Sequence, residues 1–151
     1  MVTEAQREAI TAHLTYELQM LWASSAAMGQ ANRTVNNCVV ESFALHARNI
    51  IDFFYTPPQK DDVVAAHFFS THGAWSAVCP TIAPILETAK GRANKEISHL
   101  TYTRCAVAPE DKPWPAPDIV SALDRVLAVF CEHADLLPDP VRILRYRELL
   151  P

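Results

Sequence analysis

The sequence predicts an all-α protein, a four-helix bundle with short accessory helices. Apolar residues recur at spacings of three and four in several long segments, which is typical of amphipathic helices. Only three glycines occur in 151 residues, too few for the many turns of a sandwich or barrel. No internal repeat or boundary interrupts the chain, so we expect one domain over residues 1–151.

The first two helices are predicted over residues 3–29 and 34–55. Thr3 is suited to cap the first helix, and Gly29 is a stop signal. Pro57 and the proline after it end the second helix. The apolar residues that repeat along the first helix are Ile10, Leu14, Leu18, Leu21 and Met28, and those along the second are Val35, Cys38, Val39, Phe43, Ile50, Phe53 and Phe54.

A short helix is predicted next, capped by Asp61 or Asp62 and ending near Phe69. A third long helix is predicted over residues 81–107. Gly91 lies inside it, which weakens the helix by about 1 kcal/mol relative to alanine or marks the close approach of another backbone.

Residues 108–117 are rich in proline and predict an extended connector held in place by Trp114. The fourth helix is predicted over residues 118–137 with Asp118 as its cap. Its helical repeat consists of Ile119, Leu123, Val126, Leu127, Phe130 and Leu137.

The composition argues against several classes of protein. A net charge of -4 does not favour nucleic-acid binding through overall charge, although a local basic patch is compatible with it. No apolar run is long enough for a membrane span, and the first residues lack a signal-peptide core, so we expect a cytoplasmic protein. In that compartment the cysteines are predicted to be buried free thiols, with two disulfides as the alternative: Cys38, Cys79, Cys105 and Cys131.

The second helix carries polar residues beside its apolar face. His46 and Asn49 adjoin that face, whereas Glu41 and Arg48 lie on the neighbouring stripe. Two interpretations follow from this placement. The polar groups form a buried hydrogen-bonded network that fixes the helix register, or they contribute to a functional site.

The segment RANKEISH, residues 92–99, places Arg92 and His99 seven positions apart. In an α-helix this separation is about 700°, roughly 20° short of two turns, with a rise of about 10.5 Å. Glu96 lies between them on the same stripe. An arginine can clamp a phosphate, and a histidine can exchange a proton with a ribose hydroxyl near neutral pH. The pair therefore suits metal-independent cleavage of RNA.

This R-x6-H spacing on a helix of an all-α bundle resembles the R-x(4–6)-H motif of HEPN nucleases. The resemblance implies RNA binding and metal-independent endoribonuclease activity at a site between two protomers, leaving a 2′,3′-cyclic phosphate. Arg92 would stabilise the phosphate and His99 would act as general acid or base, with Asn94, Lys95 and Glu96 as supporting neighbours. HEPN nucleases usually carry a polar residue directly after the arginine, where this chain has Ala93.

Two alternatives remain. HEPN-like proteins also serve as non-catalytic dimerisation or interaction modules, in which Arg92, Glu96, His99, Glu41 and Arg48 would form an interhelical salt-bridge network. The pattern Glu96-x-x-His99 also has the ligand spacing of metal sites in helical bundles, but no second E-x-x-H occurs. We expect a homodimer that needs no cofactor, with RNA or another protein as a further partner.

Overall fold

The computed structural model describes residues 3–98, 102, 108, 112–139 and 143. Across these ranges the chain is helical and forms no strand, which confirms the predicted all-α class. The elements are α1 (Glu4–Ala26), α2 (Arg33–Tyr55), a 3₁₀ helix (Ala65–Phe68), α3 (Ala74–Val78), α4 (Pro84–Arg92), a π-helical segment (Ala93–Ser98) and α5 (Ala116–His133).

The helices α1 and α2 form a hairpin whose ends are set by local side chains. Thr3 caps the start of α1, as the sequence predicts, and it forms a reciprocal capping box with Gln6. Gly29 adopts a φ of 89° in the connecting loop. The Asn36 side chain accepts hydrogen bonds from the amides of Gly29 and Gln30 and thereby closes that loop onto α2.

Two predicted caps are wrong. Asp62 accepts a hydrogen bond from the Gln59 amide in the loop after α2, and the following helical turn begins only at Ala65. The last helix begins at Ala116 and not after Asp118, because proline tolerates the first helical turn. Asp118 lies in that first turn, where its charge favours the helix dipole.

The predicted third helix differs in kind as well as in extent. Its α-helical part covers nine residues of α4, and the next six residues form a π-helix. A π-helix is closed by i→i+5 hydrogen bonds, so each residue turns through less than the 100° of an α-helix. Residues 99–101 and 103–107 of the prediction lie outside the described residues.

An aromatic cluster forms the centre of the core. Phe130 of α5 is fully buried and packs edge-on against Phe53, Phe54, Phe68 and Trp75. Because these rings come from α2, the 3₁₀ helix and α3, the cluster holds four elements together. Large aromatic side chains bury more apolar area than any others, so this cluster is a main source of the hydrophobic stabilisation.

Hydrogen bonds between distant segments supplement the apolar core. The Trp22 indole donates to Asp124 at 2.9 Å and thus joins α1 to α5. The Trp75 indole donates to the Phe54 carbonyl at 2.8 Å, which ties α3 to the end of α2. Trp and Tyr side chains that are buried usually need such a partner for their polar atom.

The cysteines of the described residues are free, but they are not all buried. Cys38 is exposed, whereas Cys79 and Cys131 are half-buried. The prediction of a buried thiol is therefore wrong for Cys38, because the first turns of α2 extend beyond the core. Cys105 lies outside the described residues. In the part of the chain that the structure covers, no helix is both long and apolar enough to cross a membrane.

Substitution of Gly91 tests whether the end of α4 is helical. A Cβ atom built on Gly91 meets no atom within 4 Å, and its φ is not positive, so close backbone approach does not explain this glycine. We expect Gly91→Ala to raise the free energy of unfolding by about 1 kcal/mol, because alanine has the higher helix propensity. Urea denaturation followed by circular dichroism measures this change.

Gly73→Ala is the matched control. Gly73 has a φ of 79°, so alanine there should lower the free energy of unfolding by about 1–2 kcal/mol. A destabilising effect of Gly91→Ala would contradict the helical description of this segment.

Candidate functional site

The guanidinium of Arg92 has four polar partner atoms among the described residues. It forms a bidentate ion pair with Glu96, with Nε 2.9 Å from Oε1 and Nη2 3.0 Å from Oε2. Its Nη2 and Nη1 atoms also donate to the carbonyls of Lys112 and Pro113, each at 3.1 Å. Only 18% of each charged side chain is exposed. Such short, charge-assisted forks are strong ion-pair geometries.

Trp114 completes the surroundings of Arg92. The guanidinium carbon lies 4.5 Å from the centroid of the indole ring, which is a cation–π contact. The same indole packs edge-on against Phe43 of α2, with centroids 6.1 Å apart. Trp114 therefore holds the connector against the core, as the sequence predicts. We call Arg92, Glu96, Trp114 and the two carbonyls the Arg92 latch.

The latch leaves little of the guanidinium for a ligand. Arginine has five N–H donors, and the four bonds to Glu96 and the two carbonyls occupy four of them. A phosphate could bind bidentately only if Glu96 or the connector moved away. The arrangement gives Arg92 a structural task, joining the π-helical segment to the start of α5.

The π-helical segment also changes the geometry on which the predicted pair rests. The shared stripe of Arg92 and His99 assumes 100° per residue, and residues 93–98 do not keep that angle. His99 itself lies outside the described residues. Ala93 is buried, so the place where HEPN nucleases carry a polar residue faces the core here.

Asn94 and Lys95 face other surroundings than Arg92 does. Lys95 is exposed. Asn94 is half-buried and lines a cleft of about 570 Å³ between α2 and the α4–π segment, together with Arg48. The structure thus brings together two of the predicted supporting residues, Arg48 and Asn94, away from the predicted central arginine. We call this the Arg48 cleft; its polar lining includes Arg48, Asn49, Asp52, Thr56, Lys90 and Asn94.

A chain of hydrogen bonds crosses the floor of the Arg48 cleft. Lys90 Nζ lies 2.6 Å from Asp52 Oδ1 and 2.6 Å from the Thr56 hydroxyl. The Thr56 hydroxyl donates to the same Asp52 oxygen at 2.7 Å. Arg48 Nε faces the other oxygen of Asp52 at 3.6 Å. The sequence interpretation missed Lys90 and Thr56, because nothing in the spacing shows that α4 crosses α2 at this point.

His46 and Asn49 belong to a separate network between α1 and α2. His46 is buried, and its Nδ1 lies 2.8 Å from Glu17 Oε2, to which the Asn49 side chain also donates at 3.0 Å. The Tyr16 ring packs edge-on against the imidazole. This arrangement is a hydrogen-bonded network between two helices, as the first interpretation expects, but of its three members only His46 is buried. Glu41 is exposed on α2.

Nucleophilic catalysis and metal binding find little support among the described residues. Burial raises the pKa of Cys131 to about 11 and that of Tyr55 to about 12, and it also raises the pKa of Cys79. A thiol with a raised pKa is a poor nucleophile at neutral pH. Among the described residues no three His, Cys, Asp or Glu side chains converge on a possible metal position. Both carboxylate oxygens of Glu96 already accept from Arg92.

Comparison with known proteins adds no family: no protein-family model, no curated protein and no solved structure matches the chain. The resemblance to HEPN proteins stays a prediction from the motif. The fold and the contacts define an all-α protein with an arginine-centred latch and, beside it, a polar cleft.

The Arg92 latch makes a prediction about stability. We expect Arg92→Lys to lower the free energy of unfolding by about 1–3 kcal/mol, because lysine keeps the charge but loses the planar fork and the ring contact. Thermal and urea denaturation of the two proteins measure the difference.

Arg125→Lys serves as the control for this substitution. Arg125 is exposed on α5 and donates to Ser121, so the same exchange should change stability by less than about 0.5 kcal/mol. Equal effects at the two positions would argue against the latch.

Proposed function

We propose that this protein is a non-catalytic helical dimerisation module. One observation carries the non-catalytic part: the arginine of the nuclease-like motif has four of its donors engaged within its own chain. An arginine that binds the substrate phosphate must direct those donors at the phosphate oxygens. The charges of the motif instead stabilise the connection between the π-helical segment and α5.

The dimerisation part is supported by apolar side chains on the outside of the α1–α2 hairpin. Tyr16 is 51% exposed, Val35 48% and Leu45 44%, and the free Cys38 is exposed between the last two. The Tyr16 ring of α1 contacts the imidazole of His46, the residue that follows Leu45 in α2. We call these four residues the α1–α2 face. Clustered exposed apolar residues indicate an interaction surface more often than scattered ones do.

The order of residues along α2 favours a second copy of the chain as the partner. Val35, Cys38, Ser42 and Leu45 follow one stripe, with large apolar residues at its ends and small ones at its centre. When two such stripes pair about a two-fold axis, Val35 packs against the partner's Leu45 and Cys38 against the partner's Ser42. Self-complementarity of this kind is what a symmetric dimer interface requires.

Metal-independent RNA cleavage is the second candidate function. The observation that favours it is the π-helical segment, which coincides with the motif between Arg92 and His99. Single π-helical turns occur frequently at functional sites. On this hypothesis, RNA binding would release the guanidinium from Glu96 and the connector, so that Arg92 and His99 could act together.

The first test of dimerisation places a charged residue in the α1–α2 face. We expect wild type to sediment as a dimer and Leu45→Glu to weaken the dimer at least about 100-fold, because a buried unpaired charge is strongly unfavourable. Ala128→Glu, on the exposed side of α5, should leave association unchanged. A monomeric wild type would contradict the proposal, as would a dimer that tolerates Leu45→Glu.

The symmetry of the pairing is tested by cross-linking. Ser42→Cys should form an intermolecular disulfide with Cys38 on mild oxidation, because the two positions face each other across the proposed axis. Asn37→Cys, which is exposed on another side of the same helix, should cross-link much less. Non-reducing gels compare the two variants. Equal yields would exclude this register.

The catalytic question is tested on a mixed RNA pool in EDTA. We expect wild type and His99→Ala alike to leave the RNA intact, because Arg92 is engaged in the latch. Cleavage by wild type that is lost in both His99→Ala and Arg92→Lys would overturn this expectation and establish the second candidate. Cleavage that occurs without EDTA and is abolished by it would instead favour the metal alternative through Glu96 and His99.

A further inference from the structure

The Arg48 cleft contains polar groups that neither the latch nor the dimer uses. Its volume of about 570 Å³ lies within the range of small-molecule sites. We infer that it binds the phosphate group of a sugar phosphate, with Arg48, Lys90 and Asn94 as the phosphate ligands. This inference is independent of dimerisation, because these residues do not belong to the α1–α2 face.

Arg48 is the first reason for an anionic ligand. Its Nε is shielded from solvent and makes no hydrogen bond within the described part of the chain, so a ligand in the cleft would meet the Nη donors. The side chain is 34% exposed, and no described residue accepts a hydrogen bond from these Nη donors. The ion pair with Asp52 at 3.6 Å is too long for one. A guanidinium with unused donors at the wall of a cleft is matched by a planar pair of oxygen acceptors, such as a phosphate presents.

Asp52 does not repel an anion as strongly as a free carboxylate would. One of its oxygens already accepts from Lys90 and from Thr56, and the other faces Arg48. Lys90 uses two of its three ammonium donors in bonds to Asp52 and Thr56, which leaves one for a ligand. The acid therefore orients the two cations and leaves donors for the cleft.

Asn94 supplies a third donor from the π-helical segment. Its side-chain amide makes no hydrogen bond to any residue that the structure describes. Arg48, Lys90 and Asn94 come from three different helical segments, α2, α4 and the π-helix, around one cleft. Three separate donors fit the three terminal oxygens of a phosphate monoester better than the two oxygens of a carboxylate.

The rest of the lining favours a polyhydroxylated group over an aromatic base. Phe53 is the one aromatic residue among the described lining, and it is only 8% exposed, so no ring is presented for stacking. Gln59 and Asp62 are exposed in the lining, where their oxygens can accept hydrogen bonds from sugar hydroxyls. These acceptors are the reason for proposing a sugar as the organic part.

Isothermal titration with D-ribose 5-phosphate tests the inference. We expect binding with a Kd below about 1 mM, at least tenfold tighter than that of inorganic phosphate or D-ribose. Asn94→Ala and Arg48→Gln should each weaken binding about tenfold or more, and Arg48→Lys should retain part of it. Arg125→Gln removes the same charge on exposed α5 and should have no effect.

The same chemistry occurs in a free sugar phosphate and at the 5′ end of an RNA. A short oligoribonucleotide with a 5′-phosphate and one with a 5′-hydroxyl distinguish these sources. If ribose 5-phosphate binds more tightly than either oligonucleotide, the ligand is a free sugar phosphate. If the 5′-phosphorylated oligonucleotide binds more tightly than both ribose 5-phosphate and the 5′-hydroxyl oligonucleotide, the ligand is an RNA end. Undetectable binding of every phosphate, equal affinity for inorganic phosphate, or insensitivity to both Arg48→Gln and Asn94→Ala would overturn the proposed site. Circular dichroism of each variant verifies that it is folded.

Discussion

The contact between the Arg92 guanidinium and its three kinds of partner joins the π-helical segment to the residues that lead into α5. Glu96 fixes the guanidinium from one side, the carbonyls of Lys112 and Pro113 fix it from another, and the Trp114 ring covers its face. Trp114 in turn packs on Phe43 of α2. Because α5 begins two residues after Trp114, the contact fixes the start of the helix that carries Phe130 into the aromatic core, alongside the Trp22–Asp124 hydrogen bond.

The residues of the predicted site face different surroundings and therefore have different tasks. Arg92 and Glu96 face the connector, Ala93 faces the core, and Asn94 faces the Arg48 cleft. One short segment therefore contributes to stability, to packing and, on our proposal, to ligand binding. On our proposals, α2 carries both the dimer contact and one wall of the ligand cleft, on different residues.

Much of the fold could be predicted from the sequence. Apolar periodicity predicted α1 and α2 to within three residues at each end, and the capping pattern predicted the role of Thr3. The π-helix could not be predicted, because a change from i→i+4 to i→i+5 bonding leaves the composition of a segment ordinary. The Arg92–Glu96 stripe was predictable from spacing, whereas its partners were not. They are backbone carbonyls some twenty residues away, and no side-chain pattern identifies them. For the same reason Lys90 was missed, since its partners Asp52 and Thr56 are contacts between helices.

The central claim is that Arg92 is held within the protein, and the exchange of its Nε proton tests this most directly. In ¹⁵N-resolved NMR spectra near neutral pH, the Nε–H of Arg92 should be sharp and exchange slowly with water, because it donates to Glu96 in a largely buried pair. The exposed Arg125 should exchange far faster, and loss of one signal in Arg92→Lys assigns the resonance. Exchange of the Arg92 proton as fast as that of Arg125 would contradict the latch and with it the non-catalytic account.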